Sequence, residues 1–241
     1  MRNFYRTYRG YPAHLAKAVL RQHHKGMLPL LRPWLPPDGI AVDVGAHAGQ
    51  FTKLFAAAMP DGHIFAFEPG AYARAVLRPM LWLRRVRNVT VIPAGLSDRS
   101  GQMTLNVPVK PKGNPGFGLS YLSVADHEST CQTTRQGVPL TTLDDFVAQR
   151  GLARLDLVKA DIEGWEAHLL RGARTTLARF APALLLEVNL EHLRRAGSQP
   201  AEVWEPLARL GYRAQRVDGE TTAVAVDGLA GPGDYLFIPP S

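Results

Sequence analysis

Residues 40–59 constrain this chain more than any other stretch. Ile40, Ala41, Val42 and Val44 make a short apolar run compatible with a buried strand. Gly45 and Gly49 flank a turn, and Phe51, Leu54, Phe55 and Ala58 then recur on one face of a helix that runs to Met59. A strand, a glycine turn and a helix in succession expose backbone N–H groups at the helix N-terminus, where a nucleotide-like ligand can approach the main chain. The first glycine allows the sharp turn and the second allows close packing, because neither carries a Cβ.

A second signal follows at the distance this arrangement requires. His63-Ile-Phe-Ala-Phe-Glu-Pro69 is a short apolar strand that ends in an acid, Glu68. An acid at the end of the second strand, roughly 20 residues past the turn, commonly bonds a ribose hydroxyl pair. The combination indicates an adenosine-bearing cofactor without choosing between NAD and S-adenosylmethionine. Asp43 makes that choice. The turn reads D-V-G-A-H-A-G and lacks the G-x-G-x-x-G spacing of nicotinamide sites. An acid before glycines at alternate positions resembles the class I methyltransferase pattern, with His47 in place of the middle glycine. The acid is expected near the amino-acid part of the cofactor.

The 241 residues suit one sizeable α/β domain with additions, and 46% hydrophobic composition suits a globular core. No apolar run approaches the roughly 20 residues of a membrane span. The basic first residues have no apolar segment after them, so no secretory signal is expected. Cys131 is the single cysteine, which excludes an internal disulfide and makes the cytoplasm the simplest setting. The net charge of +7 is compatible with nucleic acid, anionic lipid, an anionic substrate or a solvated surface. No zinc-ligand spacing and no aromatic-studded RNA motif is present, so no nucleic-acid partner is expected.

Residues 1–38 read as a basic helical cap before the domain of residues 39–241. Residues 13–31 are expected to be helical, broken by Pro29 and ended by Pro33, Pro36 and Pro37. The cap reading competes with a membrane-surface contact and with a plain edge helix. Residues 71–83 read as a helix perturbed at Pro79, and residues 88–93 as the third strand. Ser97 and Asp98 follow it, where a nucleotide-binding sheet often borders the adenine; a plain polar turn explains them equally. Residues 101–140 read as an inserted β and loop segment, with a turn-rich centre at 110–118. Thr142 is a plausible N-cap for a helix opened by Asp144 and Asp145.

Leu155, Leu157 and Val158 then make a strand with Asp161 at its carboxyl end, where open α/β sheets hold ligands. Glu163 and Glu166 read as favourable charge at the start of the next helix. Residues 183–189 form a fifth strand that ends in polar groups, with Glu187, Asn189 and His192 following its apolar run. Residues 212–217, 222–226 and 234–238 are β-like, and the last two are expected to close the sheet with an antiparallel strand.

Taken together, these stretches resemble the FkbM family of S-adenosylmethionine-dependent methyltransferases over residues 41–187. Asp43, Gly45, Gly49, Phe51 and Thr52 carry the first motif, Phe67, Glu68 and Pro69 the second, and Thr142 to Asp145 the third. Lys159, Asp161, Glu163, Gly164 and Glu166 match K-x-D-x-E-G-x-E. The resemblance implies a class I, Rossmann-like seven-stranded sheet, mostly parallel, with an antiparallel last strand and helices on both faces. It implies O-methylation of a hydroxyl on a sugar, glycan or natural product. Candidate cofactor residues are Asp43, Gly45, His47, Gly49, Glu68, Ser97, Asp98 and Asp161. A weakly acidic hydroxyl needs a base or a metal ion. Asp161, Glu187 and His192 are candidates for the base; Asp161, Glu187 and Asn189 are candidates for holding Mg²⁺. The basic surface would suit an anionic acceptor. An RNA methyltransferase, a non-catalytic binding module and an NAD oxidoreductase are the alternative readings.

Overall fold

The computed structural model describes residues 10–108, 121–123 and 133–240. In chain order its strands are β1 (Ile40–Val44), β2 (His63–Phe67), β3 (Val89–Ile92), β4 (Gly95–Leu96), β5 (Gly101–Pro108), β6 (Tyr121–Ser123), β7 (Thr133–Thr141), β8 (Leu157–Ala160), β9 (Ala183–Val188), β10 (Arg213–Asp218), β11 (Thr222–Val226) and β12 (Gly233–Ile238). The helices are α1 (Tyr11–Leu20), α2 (Leu28–Leu31), α3 (Gln50–Ala58), α4 (Ala71–Leu83), α5 (Leu143–Arg150), α6 (Glu166–Arg171), α7 (Arg174–Phe180), α8 (Leu190–Arg195) and α9 (Pro200–Arg209).

The main sheet runs β11-β10-β12-β9-β8-β1-β2-β3. Strands β3, β2, β1, β8 and β9 are parallel, and β12 lies antiparallel between β9 and β10. This is the mostly parallel, Rossmann-like sheet the sequence implies, with one difference. It has eight strands rather than seven, because β11 folds back on β10 as an added edge strand instead of closing the sheet. The chain leaves β1 toward β2 and β3, then returns on the other side of β1 as β8 and β9. That reversal makes a crevice outside the carboxyl ends of β1 and β8.

Apolar side chains cover both faces. Leu143, Phe146, Leu169, Leu177, Leu193 and Leu207 of α5–α9 pack on one face with Val42, Val44, Val158 and Leu186. On the other face, Phe51, Leu54 and Phe55 of α3 meet Ala41, Ile64, Leu157 and Leu185. Strands buried on both sides read as continuous apolar runs, which is why β8 and β9 are nearly all aliphatic. Phe55 is fully buried, and its replacement by alanine would cost about 3–5 kcal/mol.

A smaller sheet, β4-β7-β5-β6, holds the insert. Gly95 and Leu96, read in the sequence as loop, pair with Leu140 and Thr141. The turn-rich stretch 110–118 and Cys131 lie outside the described residues, as do Arg6 and Arg9.

The expected helix over 13–31 is shorter. α1 stops at Leu20, His24 takes a left-handed conformation (φ 61°), and α2 is a single turn. Side chains from elsewhere stabilise the break. The Lys53 ammonium donates to the carbonyls of Ala18 and Arg21, groups that a helix end leaves without partners. The Glu220 carboxylate, in the β10–β11 turn, accepts from the backbone N–H of His24 and Gly26, each at 3.0 Å. The N-terminal segment therefore passes from α4, over the start of α3, to the last hairpin.

Candidate functional site

Four backbone features build the first half of the crevice. Gly45 turns with φ 77°, and a Cβ there would lie 2.0 Å from the Asp161 carbonyl oxygen. Only glycine lets the loops after β1 and β8 approach this closely. Gly49 has φ 82° and would drive a Cβ into Leu77 and Met80 of α4 at 2.5 Å. Gly45 and Ala46 donate to the Phe67 carbonyl at 2.9 and 3.0 Å, which ties the turn to the end of β2. Between the glycines, His47 has φ 47° and its ring stands at the mouth of the crevice. Surrounding protein lowers its pKa, against an opposing pull from Asp161.

Glu68 closes this half. Its Oε2 accepts from the His47 N–H and its Oε1 from the Gly70 N–H, both at 2.7 Å. Burial pushes its pKa up to about 7, although those two bonds pull it down. Each oxygen keeps a lone pair for a further donor.

Asp43 sits beneath the turn and not in the crevice. It is 0% exposed and accepts from the Thr52 hydroxyl at 2.5 Å. Its other oxygen has no hydrogen-bond partner and lies 4.0 Å from Lys159 Nζ. Burial raises its pKa; Lys159 and Thr52 oppose this. In this structure Asp43 locks the start of α3 to β1, and a bound ligand would meet it only indirectly.

The second half is built from β8, β9, β12 and α8. Register sets Asp43 beside Lys159 and Glu187 beside Asp234, all on the face that packs on α3. Lys159 Nζ lies 3.5 Å from Asp161 Oδ2 and 5.0 Å from the Phe51 ring centre. Burial alone would lower its pKa, but Asp161, Asp43, Glu187 and Asp234 together raise it. Asp161 shows the reverse balance. Burial would raise its pKa, yet Lys159 and a hydrogen bond from Glu187 hold it below the usual range. Glu187 is driven to about 8 by burial, by the Asp161 charge and by Asp234. The two carboxyls share a hydrogen bond in which Glu187 is the more readily protonated partner. Burial likewise raises the pKa of Asp234.

Glu163 departs from its sequence reading. It adopts φ 56°, and its carboxylate lies 2.7 Å from His192 Nδ1. Gly164 follows with φ 101°, so close to α8 that a Cβ would meet the His192 carbonyl oxygen at 2.2 Å. Arg195 donates to the Glu163 carbonyl at 3.1 Å. Burial and then Arg195 lower the His192 pKa, and Glu191 and Asp161 oppose them. His192 Nδ1 thus faces the Glu163 carboxylate, and Nε2 has no partner among the described residues. Glu166 is fully buried; its Oε1 accepts from the Gly164 N–H, and burial pushes its pKa to about 7.

The remaining candidates are placed elsewhere. Asn189 is the N-cap of α8, its Oδ1 accepting from the N–H groups of Glu191 and His192. Ser97 is buried, accepting from Trp165 Nε1 at 3.0 Å and donating to Asp98 at 3.1 Å. Asp98 in turn faces Arg171 at 3.8 Å. These bonds fasten the β4 turn to α6. The residues named for Mg²⁺ do not fit an ion. Asn189 is committed to its helix, and Lys159 already faces Asp161 at 3.5 Å. Among the described residues no group of three or more His, Cys, Asp or Glu is arranged to hold a metal. Gly45 and Gly49 instead pack the turn tightly against the loop after β8 and against α4, with Glu68 at its edge.

Sequence reasoning missed Lys159, Glu163 and Asp234 as parts of the crevice. A lysine inside an aliphatic strand was the available signal for the first, since an unpaired buried ammonium is costly.

Comparison with known proteins follows the same lines. The profile of the methyltransferase FkbM domain matches residues 43–214. The 2-O-methyltransferase NoeI of Sinorhizobium fredii is 27% identical over 164 residues, which span 65% of each chain, slightly under two thirds. The structure of methyltransferase FkbM from Methylobacillus flagellatus superposes with TM-score 0.53 at 15% identity, covering 83% of this chain and 44% of that one. A Streptococcus mutans structure in complex with SAH superposes with TM-score 0.50 at 12% identity, covering 89% and 98%. No helix among the described residues is long and apolar enough to cross a membrane.

Proposed function

This chain belongs to the methyltransferase FkbM domain family, and we propose that it transfers a methyl group from S-adenosylmethionine to a hydroxyl oxygen of a small molecule. The observation that carries the cofactor is Glu68, held by two backbone N–H groups at the end of β2 beside the glycine turn. A carboxylate so fixed is placed for a ribose hydroxyl pair, with Gly45, His47 and Gly49 around the rest. When bound, the sulfonium supplies an electrophilic methyl group.

The chain's own residues must then hold an acceptor oxygen in line and take its proton. His192 is the base in this reading. Its Nε2 is free, and Glu163 fixes the tautomer and stabilises the imidazolium once formed. Nε2 would take the hydroxyl proton as the acceptor oxygen is methylated. Asp161, Glu187 and Asp234 line the same crevice with acceptors and one proton, which favours a neutral polyhydroxylated acceptor, a sugar, glycan or polyol natural product, over an anionic one. The name of NoeI supports oxygen as the acceptor atom.

The test uses methyl-labelled S-adenosylmethionine with a panel of methyl glycosides and polyol natural products. Label on a hydroxyl is expected, unaffected by a chelator. His192→Ala should lose about 100-fold or more in kcat, and Glu163→Gln about tenfold, with the acid limb of its pH profile moved down. Failure to bind S-adenosylhomocysteine, or label found only on nitrogen or RNA, would overturn the function. Unchanged kcat in His192→Ala would overturn the base alone.

A further inference from the structure

The α1–α4 pair ends in an apolar and cationic surface that methyl transfer does not use. Among the described residues five large apolar side chains are exposed, and three of them belong here: Leu20 at 80%, Trp82 at 78% and Leu83 at 49%. The two helices pack side by side. At their starts the Tyr11 hydroxyl donates to the Ala75 carbonyl at 2.9 Å, and His14 Nδ1 lies 2.6 Å from the Tyr72 hydroxyl. At the end of α1 the Lys53 ammonium reaches the carbonyls of Ala18 and Arg21. Burial, and then the nearby charge of Arg84, lower the Lys53 pKa to about 8. Leu20 closes α1, and Trp82 and Leu83 close α4, whose following Arg84 is near enough to Lys53 to act on its charge.

That end is strongly basic. Arg21, Arg78, Arg84, Arg85 and Arg87 are all exposed, and none has an acidic partner among the described residues. The sequence provides none nearby: no Asp or Glu occurs in residues 1–37 or 69–97. A tryptophan and two leucines face water there, beside five guanidinium groups with no acidic partner among the described residues.

We propose that this end of the α1–α4 pair docks on the surface of an anionic lipid bilayer. A tryptophan is suited to the headgroup level, leucines to the upper acyl region, and arginines to lipid phosphates. Charge alone would also fit a nucleic acid, but phosphates offer nothing to an exposed leucine pair. The position is compatible with catalysis. α4 starts next to Glu68 and its 13 residues carry Trp82 roughly 20 Å away. Docking through Trp82 and Leu83 would leave the crevice open.

The test is co-sedimentation of the full chain with vesicles of phosphatidylcholine alone or with phosphatidylglycerol added, at low and high salt. Strong partition onto the anionic vesicles is expected, at least about tenfold weaker on neutral vesicles and in high salt. Trp82→Glu and, separately, Leu20→Glu should each lower it about tenfold while leaving S-adenosylhomocysteine affinity unchanged, which also shows that the variants are folded. Wild-type protein that stays in the supernatant would overturn the proposal. So would variants that sediment like wild type, or equal partition onto both vesicles. Tight binding to a single-stranded oligonucleotide, insensitive to both substitutions, together with vesicle binding no stronger than the neutral control, would reassign the arginines to RNA. Each of these outcomes is separable from loss of cofactor binding or of methyl transfer.

Discussion

Glu68 makes cofactor affinity dependent on pH. Its pKa of about 7 places half its charge in play across the neutral range. Both oxygens already accept backbone N–H groups, so protonation removes acceptor capacity that a ribose would need. The pKa is raised above the ordinary carboxylate value, so the ionised form is lost as pH falls. At pH 8 about nine-tenths of the protein carries the carboxylate, and at pH 6 about one-tenth. The dissociation constant of S-adenosylhomocysteine should therefore weaken roughly tenfold between pH 8 and pH 6. Calorimetry in two buffers of different ionisation enthalpy at pH 6 should register release of nearly one proton on binding. Glu68→Gln should flatten the pH dependence and weaken binding by about 10- to 100-fold at pH 8, the loss of a charge-assisted pair of about 1.5–3 kcal/mol. A wild-type affinity that is level over this range with no proton released would refute the reasoning. So would a Gln variant that keeps the slope.

Two further perturbations read the crevice. Gly45→Ala combines a left-handed backbone with a Cβ 2.0 Å from the Asp161 carbonyl. It should cost at least about 3 kcal/mol, lower Tm by roughly 6–12 °C in a differential scan, and abolish S-adenosylhomocysteine binding; a Tm within error of wild type would contradict it. Glu166 is fully buried with a pKa of about 7, raised chiefly by burial from the ordinary 4.5. Its contribution is most favourable below pH 4.5 and declines as pH rises toward and past 7. Relative to wild type, Glu166→Gln should gain about 2–3 kcal/mol between pH 5 and pH 8 in urea unfolding. Parallel curves for the two proteins would show that Glu166 is not the titrating group.

Much of the main sheet could be read locally. Ile40–Val44, His63–Phe67 and Ala183–Val188 are apolar runs bounded by turn residues, and Thr142 caps α5 as its sequence indicates, accepting from Asp145 N–H. Gly45, Gly49 and Glu68 were legible because a turn that crowds the backbone demands residue types that show in the sequence. What was not legible depends on distant partners. Glu163 looks like helix-start charge until His192, on another element, is seen beside it. Asp234 gains meaning only from pairing with Glu187 across antiparallel strands. The residues 13–31 carry helix periodicity throughout, but Glu220 and Lys53 stabilise the break that ends α1 at Leu20. Gly95 and Leu96 are too short a run to announce a strand without Leu140 and Thr141.

The place of β1 in the sheet also governs how the chain can be made. β1 is an early strand, yet it lies at the centre, between β2 and β8. Its second neighbour begins at Leu157, and the latch on His24 and Gly26 comes from Glu220, almost two hundred residues later. On a ribosome, β1, β2 and β3 emerge with one flank of β1 unpaired and must wait for most of the remaining chain. Assembly dominated by such distant pairings is slow and exposes an open strand edge meanwhile. Translation speed through residues 93–156 therefore sets how long that edge stays open to a neighbouring nascent chain.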